Sequence, residues 1–263
     1  MIENKWIISR FNDTLEEFNE LFEKYKISDA YKLLYNFLWS ELFDWYFEFS
    51  KNLFNDEDKK IETQTVLKST FLESLKLLNP AMPHITEEIW SSFNENYLID
   101  NIWPSKFSEV SDDIFEIENL KEIITKIRNF KSTYNLKNSL AIDLYSLDSY
   151  EDWFVNQLEK TANVNISVVE SNLDDGVVLS FQSNGFVLSL LANKYIDVES
   201  EIKRLNKKKV ELNKSLEISN NRLSNDKFVQ NAKQELIDQE KQNVQHLSSQ
   251  IESINSTLNS LDN

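Results

Sequence analysis

The chain has 263 residues and a formal charge of −16, with no cysteine, 2 glycines and 3 prolines. Without cysteine there are no disulfides and no thiolate metal sites, which fits a reducing cytosol. No apolar run approaches the roughly 18 residues of a membrane helix, and the opening Met1-Ile2-Glu3-Asn4-Lys5 has no signal-peptide core, so neither a membrane nor a secretory route is expected.

So few turn formers predict long helices. Trp6 to Tyr25 carries Ile7, Phe11, Leu15, Phe18 and Phe22 at helical spacing. Ser28 is a candidate N-cap for a helix running to about Phe54. That helix is apolar nearly all round, with Leu34, Leu38, Leu42, Trp45 and Phe49 among further aromatics, and is expected to be central and buried. Asp56 to Leu78 reads as a third helix. Asn79-Pro80-Ala81-Met82-Pro83 then forms a stiff corner, because a residue before proline is pushed out of the α region. A short helix is expected from Thr86 as N-cap, with Glu87 and Glu88 in its first turn, to about Asn94. A fifth runs from about Asn119 to Tyr134.

The pattern then changes to alternation. Ser139–Tyr145, Asn163–Val169, Val177–Phe181 and Phe186–Leu190 read as strands, and Asn184-Gly185 is a two-residue hairpin signal. With a helix over Tyr150–Lys160, the segment reads as a small β-α-β-β module. Two heptad seams follow, Val198 to Leu223 and Ile237 to Leu261, on either side of Ser224-Asn225-Asp226. They predict an antiparallel coiled-coil hairpin. The fold class is therefore mainly α, in three domains: a helical bundle over 1–136, the linking module over 137–193 and the hairpin over 194–263.

Charge is segregated. Residues 1–193 hold 17 basic and 33 acidic side chains, whereas residues 194–263 hold 11 of each. Net charge argues against nucleic acid, since such domains are usually basic. Its distribution argues the other way. Lys203, Arg204, Lys207, Lys208 and Lys209 form a dense run, which Lys214, Arg222, Lys227 and Lys233 extend. Such a run is either a solvated face or a stripe that neutralises RNA phosphates. The aromatic helix has two readings as well, a base-stacking platform or core packing, and its periodicity favours the core. His84 and His246 have no partners at metal or acid–base spacing, and Gly176 and Gly185 make no phosphate loop.

Several segments carry a family resemblance. Leu78 to Trp90 resembles the "HPxMPFITEEIW" corner in the anticodon-binding domain of the valyl, isoleucyl and leucyl class I aminoacyl-tRNA synthetases, with Asn79 for His and His84 for Phe. Tyr35 to Glu48 resembles "YxFxWxEFCDWYIE", with Phe43 for Cys. Asn4 to Arg10 resembles "NKWILSRL", Trp103-Pro104 the "WP" segment, and Ile127 to Ser132 "IRNIRAE". Tyr195 to Leu205 resembles "GLIDVxxExxRL", and Leu223 to Ala232 resembles "KLSNxxFVxKAP", the opening and tip of the valyl enzymes' C-terminal arm.

The resemblance implies the C-terminal portion of a valyl-tRNA synthetase, a ligase that joins valine to tRNA(Val) with ATP and magnesium in the cytoplasm. The "HIGH" and "KMSKS" motifs of its catalytic domain are absent from this sequence, as are the editing domain and any cofactor site. The chain is therefore expected to bind and position tRNA as a monomer, and not to aminoacylate alone. Arg10, Arg128, Asn129 and Lys131 are the implied anticodon contacts. Lys203, Arg204, Lys207, Lys208, Lys209, Lys214 and Lys227 are the implied backbone contacts of the arm. The alternative is a coiled-coil protein-interaction or dimerisation module.

Overall fold

A computed structural model describes residues 1–108, 114–171, 173, 176–225 and 234–261. By contact they form two compact units, 1–128 with 150–163, and 129–149 with 164–263.

The first unit is helical. α1 (Ile2–Glu23) buries one stripe, Trp6, Ile7, Phe11, Leu15 and Phe18. The next helix is unbroken but changes winding. α2 (Ile27–Asn36) passes into a π-helical stretch (Phe37–Tyr46) and then α3 (Phe47–Leu53). It begins at Ile27 after Lys26, so Ser28 lies inside the helix and is not its cap. It is also not buried all round. Ala30, Leu34, Phe37, Leu38, Leu42, Tyr46, Phe49 and Leu53 form one buried face, while Tyr35, Trp39, Phe43 and Phe47 stand exposed. α4 (Glu57–Leu78) is capped by Asp56, whose carboxylate accepts from the Asp58 N–H at 3.1 Å.

The proline corner corrects two expectations. Asn79 keeps αR angles (φ −53°, ψ −44°) although it precedes proline. α5 (Pro83–Ser91) starts at Pro83, which needs no N–H in a first turn, so Thr86 is not its cap and Glu87 and Glu88 lie beyond that turn. The buried Thr86 hydroxyl instead donates to the Met82 carbonyl at 2.9 Å and accepts from Asn79 Nδ2 at 3.0 Å. Both Glu87 carboxylate oxygens accept from the Leu98 N–H, at 3.0 and 3.2 Å. The corner is thus tied on both sides by side chains.

α6 (Ile114–Thr133) buries Ile117, Leu120, Ile123, Ile124 and Ile127. α7 (Asp152–Ala162) belongs to the first unit. Its Gln157 donates to Glu3 at 2.7 Å and accepts from Asn52 at 2.7 Å, tying α7 to α1 and α3.

The second unit holds the sheet. β1 (Ile142–Ser146) pairs parallel with β2 (Val164–Val168), an arrangement that requires a crossover such as α7. β3 (Val178–Ser183) and β4 (Phe186–Leu191) form an antiparallel hairpin, and the strand order is β2-β1-β4-β3. Asn184 (φ +40°) and Gly185 (φ +94°) make its turn, both left-handed, as the Asn-Gly signal implies.

α8 (Val198–Leu223) is capped by Asp197, whose carboxylate accepts from the Ser200 N–H at 3.1 Å. α9 (Gln234–Leu261) returns antiparallel to it. Leu205 packs with Ile254, Leu258 and Leu261 at the base, and Asn243 donates to Ser219 at 3.0 Å farther out. Val177 and Leu179 pack against the base of the hairpin, joining it to the sheet. The two helices are about 40 Å long at 1.5 Å per residue.

Candidate nucleic-acid interface

The bundle's expected anticodon contacts are mostly engaged. Arg10 sits on α1, and its Nε and Nη2 donate to the two oxygens of Glu41 at 2.6 and 2.8 Å. Asp13 lies 3.5 Å from Nη1. The hydrogen bond to Glu41 holds the guanidinium above its ordinary pKa, and its fork is filled by protein.

Arg128 on α6 is half-buried. Its guanidinium lies 5.4 Å from the centroid of Trp45, and Nη2 donates to the Thr161 carbonyl at 3.5 Å. Lys121, two turns earlier on α6, sits 4.8 Å from the Trp6 ring and 5.8 Å from Trp45. Glu118 accepts from Lys121 at 3.0 Å and from Trp6 Nε1 at 3.0 Å. The result is a ladder of alternating cation and ring, in which each cation is desolvated by an aromatic face. The sequence reading missed Trp45, Lys121 and Glu118. Only their recurrence on helical faces signalled them, and pairing across helices is not written in spacing.

Asn129 is exposed on α6. Lys131 is a correction. It is 1% exposed, and its Nζ donates to the carbonyls of Leu140 at 2.8 Å and Asn138 at 3.4 Å. Burial pushes its pKa down, since a charged ammonium loses hydration there. It fastens the chain that follows α6 and is not available to RNA.

The arm differs. Lys203, Arg204, Lys207, Lys208 and Lys214 are exposed on α8, and Lys209 is half-buried beside the seam. Arg204 is forked onto Glu201 at 2.6 and 2.7 Å, and Lys203 lies 3.9 Å from Glu199. Among the described residues, Lys207, Lys208, Lys209 and Lys214 have no ion-pair partner. Arg222 reaches Glu240 on α9 at 3.7 Å. Lys227 lies outside the described residues. Bare ammonium groups along one helix are suited to sequence-independent phosphate contact. Among the described residues no group of three His, Asp or Glu could hold a metal ion, and no helix is long and apolar enough to cross a membrane.

Comparison with known proteins gives two family matches. Residues 4–146 match the anticodon-binding domain of tRNA ligase, and residues 197–262 match the valyl tRNA synthetase tRNA binding arm. Among curated proteins, the valine–tRNA ligase of Petrotoga mobilis is 32% identical over 258 residues, covering 92% of this chain and 29% of that protein. The valine–tRNA ligase of Streptococcus mutans is 32% identical over 251 residues, covering 91% and 28%. That of Borrelia garinii is 32% identical over 272 residues, covering 99% and 31%. The chain spans under a third of the length of these relatives, and it matches their C-terminal portion.

Proposed function

The chain belongs to the anticodon-binding domain family of tRNA ligases, and we propose that it binds and positions tRNA(Val) for a valine–tRNA ligase without activating valine itself. In this reading residues 1–136 serve the anticodon, residues 137–193 link, and residues 194–263 brace the tRNA backbone. It acts as a monomer in the cytoplasm, and the ATP and magnesium of the reaction belong to the complete ligase.

One observation carries the reading. The segment matched to a tRNA binding arm presents Lys207, Lys208 and Lys214 exposed and, among the described residues, without ion pairs, in a chain whose net charge is −16. Elsewhere in the chain Lys51, Lys76 and Lys126 are each held by a carboxylate. A dimerising coiled coil needs an open apolar seam, and here Leu205 already meets Ile254, Leu258 and Leu261 of the same chain.

The test is retention of tRNA on a filter by the full chain. Valine tRNA should be held more tightly than other tRNAs, and ATP–pyrophosphate exchange with valine should stay at background. Failure to retain any tRNA would overturn the proposal.

A further inference from the structure

Four aromatic side chains lie open on the long helix, Tyr35 at 60% exposure, Trp39 at 63%, Phe43 at 45% and Phe47 at 42%. The last two have neighbours of their own: Phe43 meets the Phe71 ring at 5.8 Å, and Lys51 sits 5.3 Å over Phe47. Among the described residues Tyr35 and Trp39 make ring contact only with each other. Their rings are parallel within 4°, with centroids 6.1 Å apart. Lys32 is exposed and stands three residues before Tyr35 and seven before Trp39, which places it on the same helical face. It has no ion-pair partner among the described residues, and neither does the exposed Lys26.

Just before this helix Tyr25 is 89% exposed with φ +57°. Residues 24–39 hold three lysines and one acid, Asp29, within a stretch of the chain where acids outnumber bases about two to one; Lys24 is paired with Glu20 at 2.9 Å, which leaves Lys26 and Lys32 to set the local charge. Local charge therefore favours an anionic ligand where the rest of that stretch disfavours one.

We propose that Tyr35 and Trp39 form a stacking platform for unpaired RNA bases, with Lys32 and Lys26 meeting the flanking phosphates. The proposal rests on the tRNA reading and deepens it by naming the side chains that take the bases. Every base presents a π-face, so two parallel exposed rings accept it with little sequence preference, and adjacent ammonium groups neutralise the backbone. The ring tips, a hydroxyl and an indole N–H, stay in water and remain free for base edges.

The test uses the full chain and two RNA probes, a hairpin carrying the anticodon loop of valine tRNA and the same stem as a blunt duplex. Tyr35→Ala and Trp39→Ala should each weaken hairpin binding by about tenfold, the worth of one stacked base, and leave duplex binding unchanged. Trp39→Phe should recover most of the loss and Trp39→Leu should not, because stacking needs a ring. Both side chains are at the surface, so thermal unfolding should not move. The platform is overturned if the alanine variants bind the hairpin like the unaltered chain, or if leucine serves as well as phenylalanine. It is also overturned if light scattering shows a dimer that Trp39→Ala dissolves. If whole tRNA is still bound in those cases, the tRNA reading stands without the platform. If the unaltered chain binds no tRNA, both fall.

Discussion

Cations on α1 and α6 and cations on α8 do different work. Arg10 is forked onto Glu41, Arg128 lies on Trp45, and Lys131 is sealed under two carbonyls. Lys207, Lys208 and Lys214 on α8 touch no acid among the described residues. These three cations of α1 and α6 hold segments together, whereas the three lysines of the arm face water. Net charge hides this contrast, because an engaged cation and a bare one count alike. The contrast predicts that removing a cation of α1 or α6 costs stability, and that removing one from α8 costs RNA binding.

The strongest way to break that comparison is Lys131→Ala. It removes the donor to the Leu140 and Asn138 carbonyls and opens a cavity, so it should cost about 2–4 kcal/mol in denaturant unfolding. A loss below about 0.5 kcal/mol, the range of ordinary surface changes, would place Lys131 among the free cations. Its lowered pKa adds a pH signature. The unfolded chain binds this proton more readily than the folded one, so the burial cost is full at neutral pH. The cost is relieved as pH rises through the window between the lowered pKa and the ordinary lysine value. Lys131→Met should therefore flatten the alkaline part of a stability–pH curve.

Tyr46→Phe comes next. The hydroxyl donates to Asn4 Oδ1 at 2.9 Å inside the bundle, and its loss should cost about 1–3 kcal/mol of unfolding free energy. Burial holds this phenol well above its ordinary pKa. The stability it contributes is present below the unfolded value and lost as pH rises toward the folded one.

Arg10→Lys replaces a fork with a point charge and should cost about 1 kcal/mol while leaving tRNA affinity unchanged within twofold. A large loss of tRNA affinity with no loss of stability would return Arg10 to the anticodon. The smallest stability effect belongs to the arm: Lys207→Gln or Lys214→Gln should move stability by less than about 0.5 kcal/mol in either direction.

Much of the molecule was legible in the sequence, and for identifiable reasons. The hairpin seams were clear because a three-and-four step over eight turns has no other reading, and Leu205 does face Leu258. Asn184-Gly185 was clear because few other residues accept two left-handed positions in a row. The long aromatic helix was misread because apolar residues on every side erase the periodicity that separates core from surface, so Trp39 looked like Leu38. Thr86 was misread because a cap rule applied alone ignores that proline itself begins helices well. Among the site residues Lys131 was out of reach of pattern reading, since lysine is almost never fully buried. The Arg10–Glu41 fork joins residues 31 apart in sequence, and no local spacing announces it.

The most direct test of the central claim is the salt dependence of tRNA binding by the full chain. Log affinity against log salt concentration should be steep and linear. Replacing Lys203, Lys207, Lys208 and Lys214 together by Glu should weaken binding and lower the slope by about one for each phosphate that is no longer neutralised. Arg10→Lys should leave the slope alone. An unchanged slope in the arm variant, or an equal fall in both, would contradict the division of labour between the bundle's cations and the arm's.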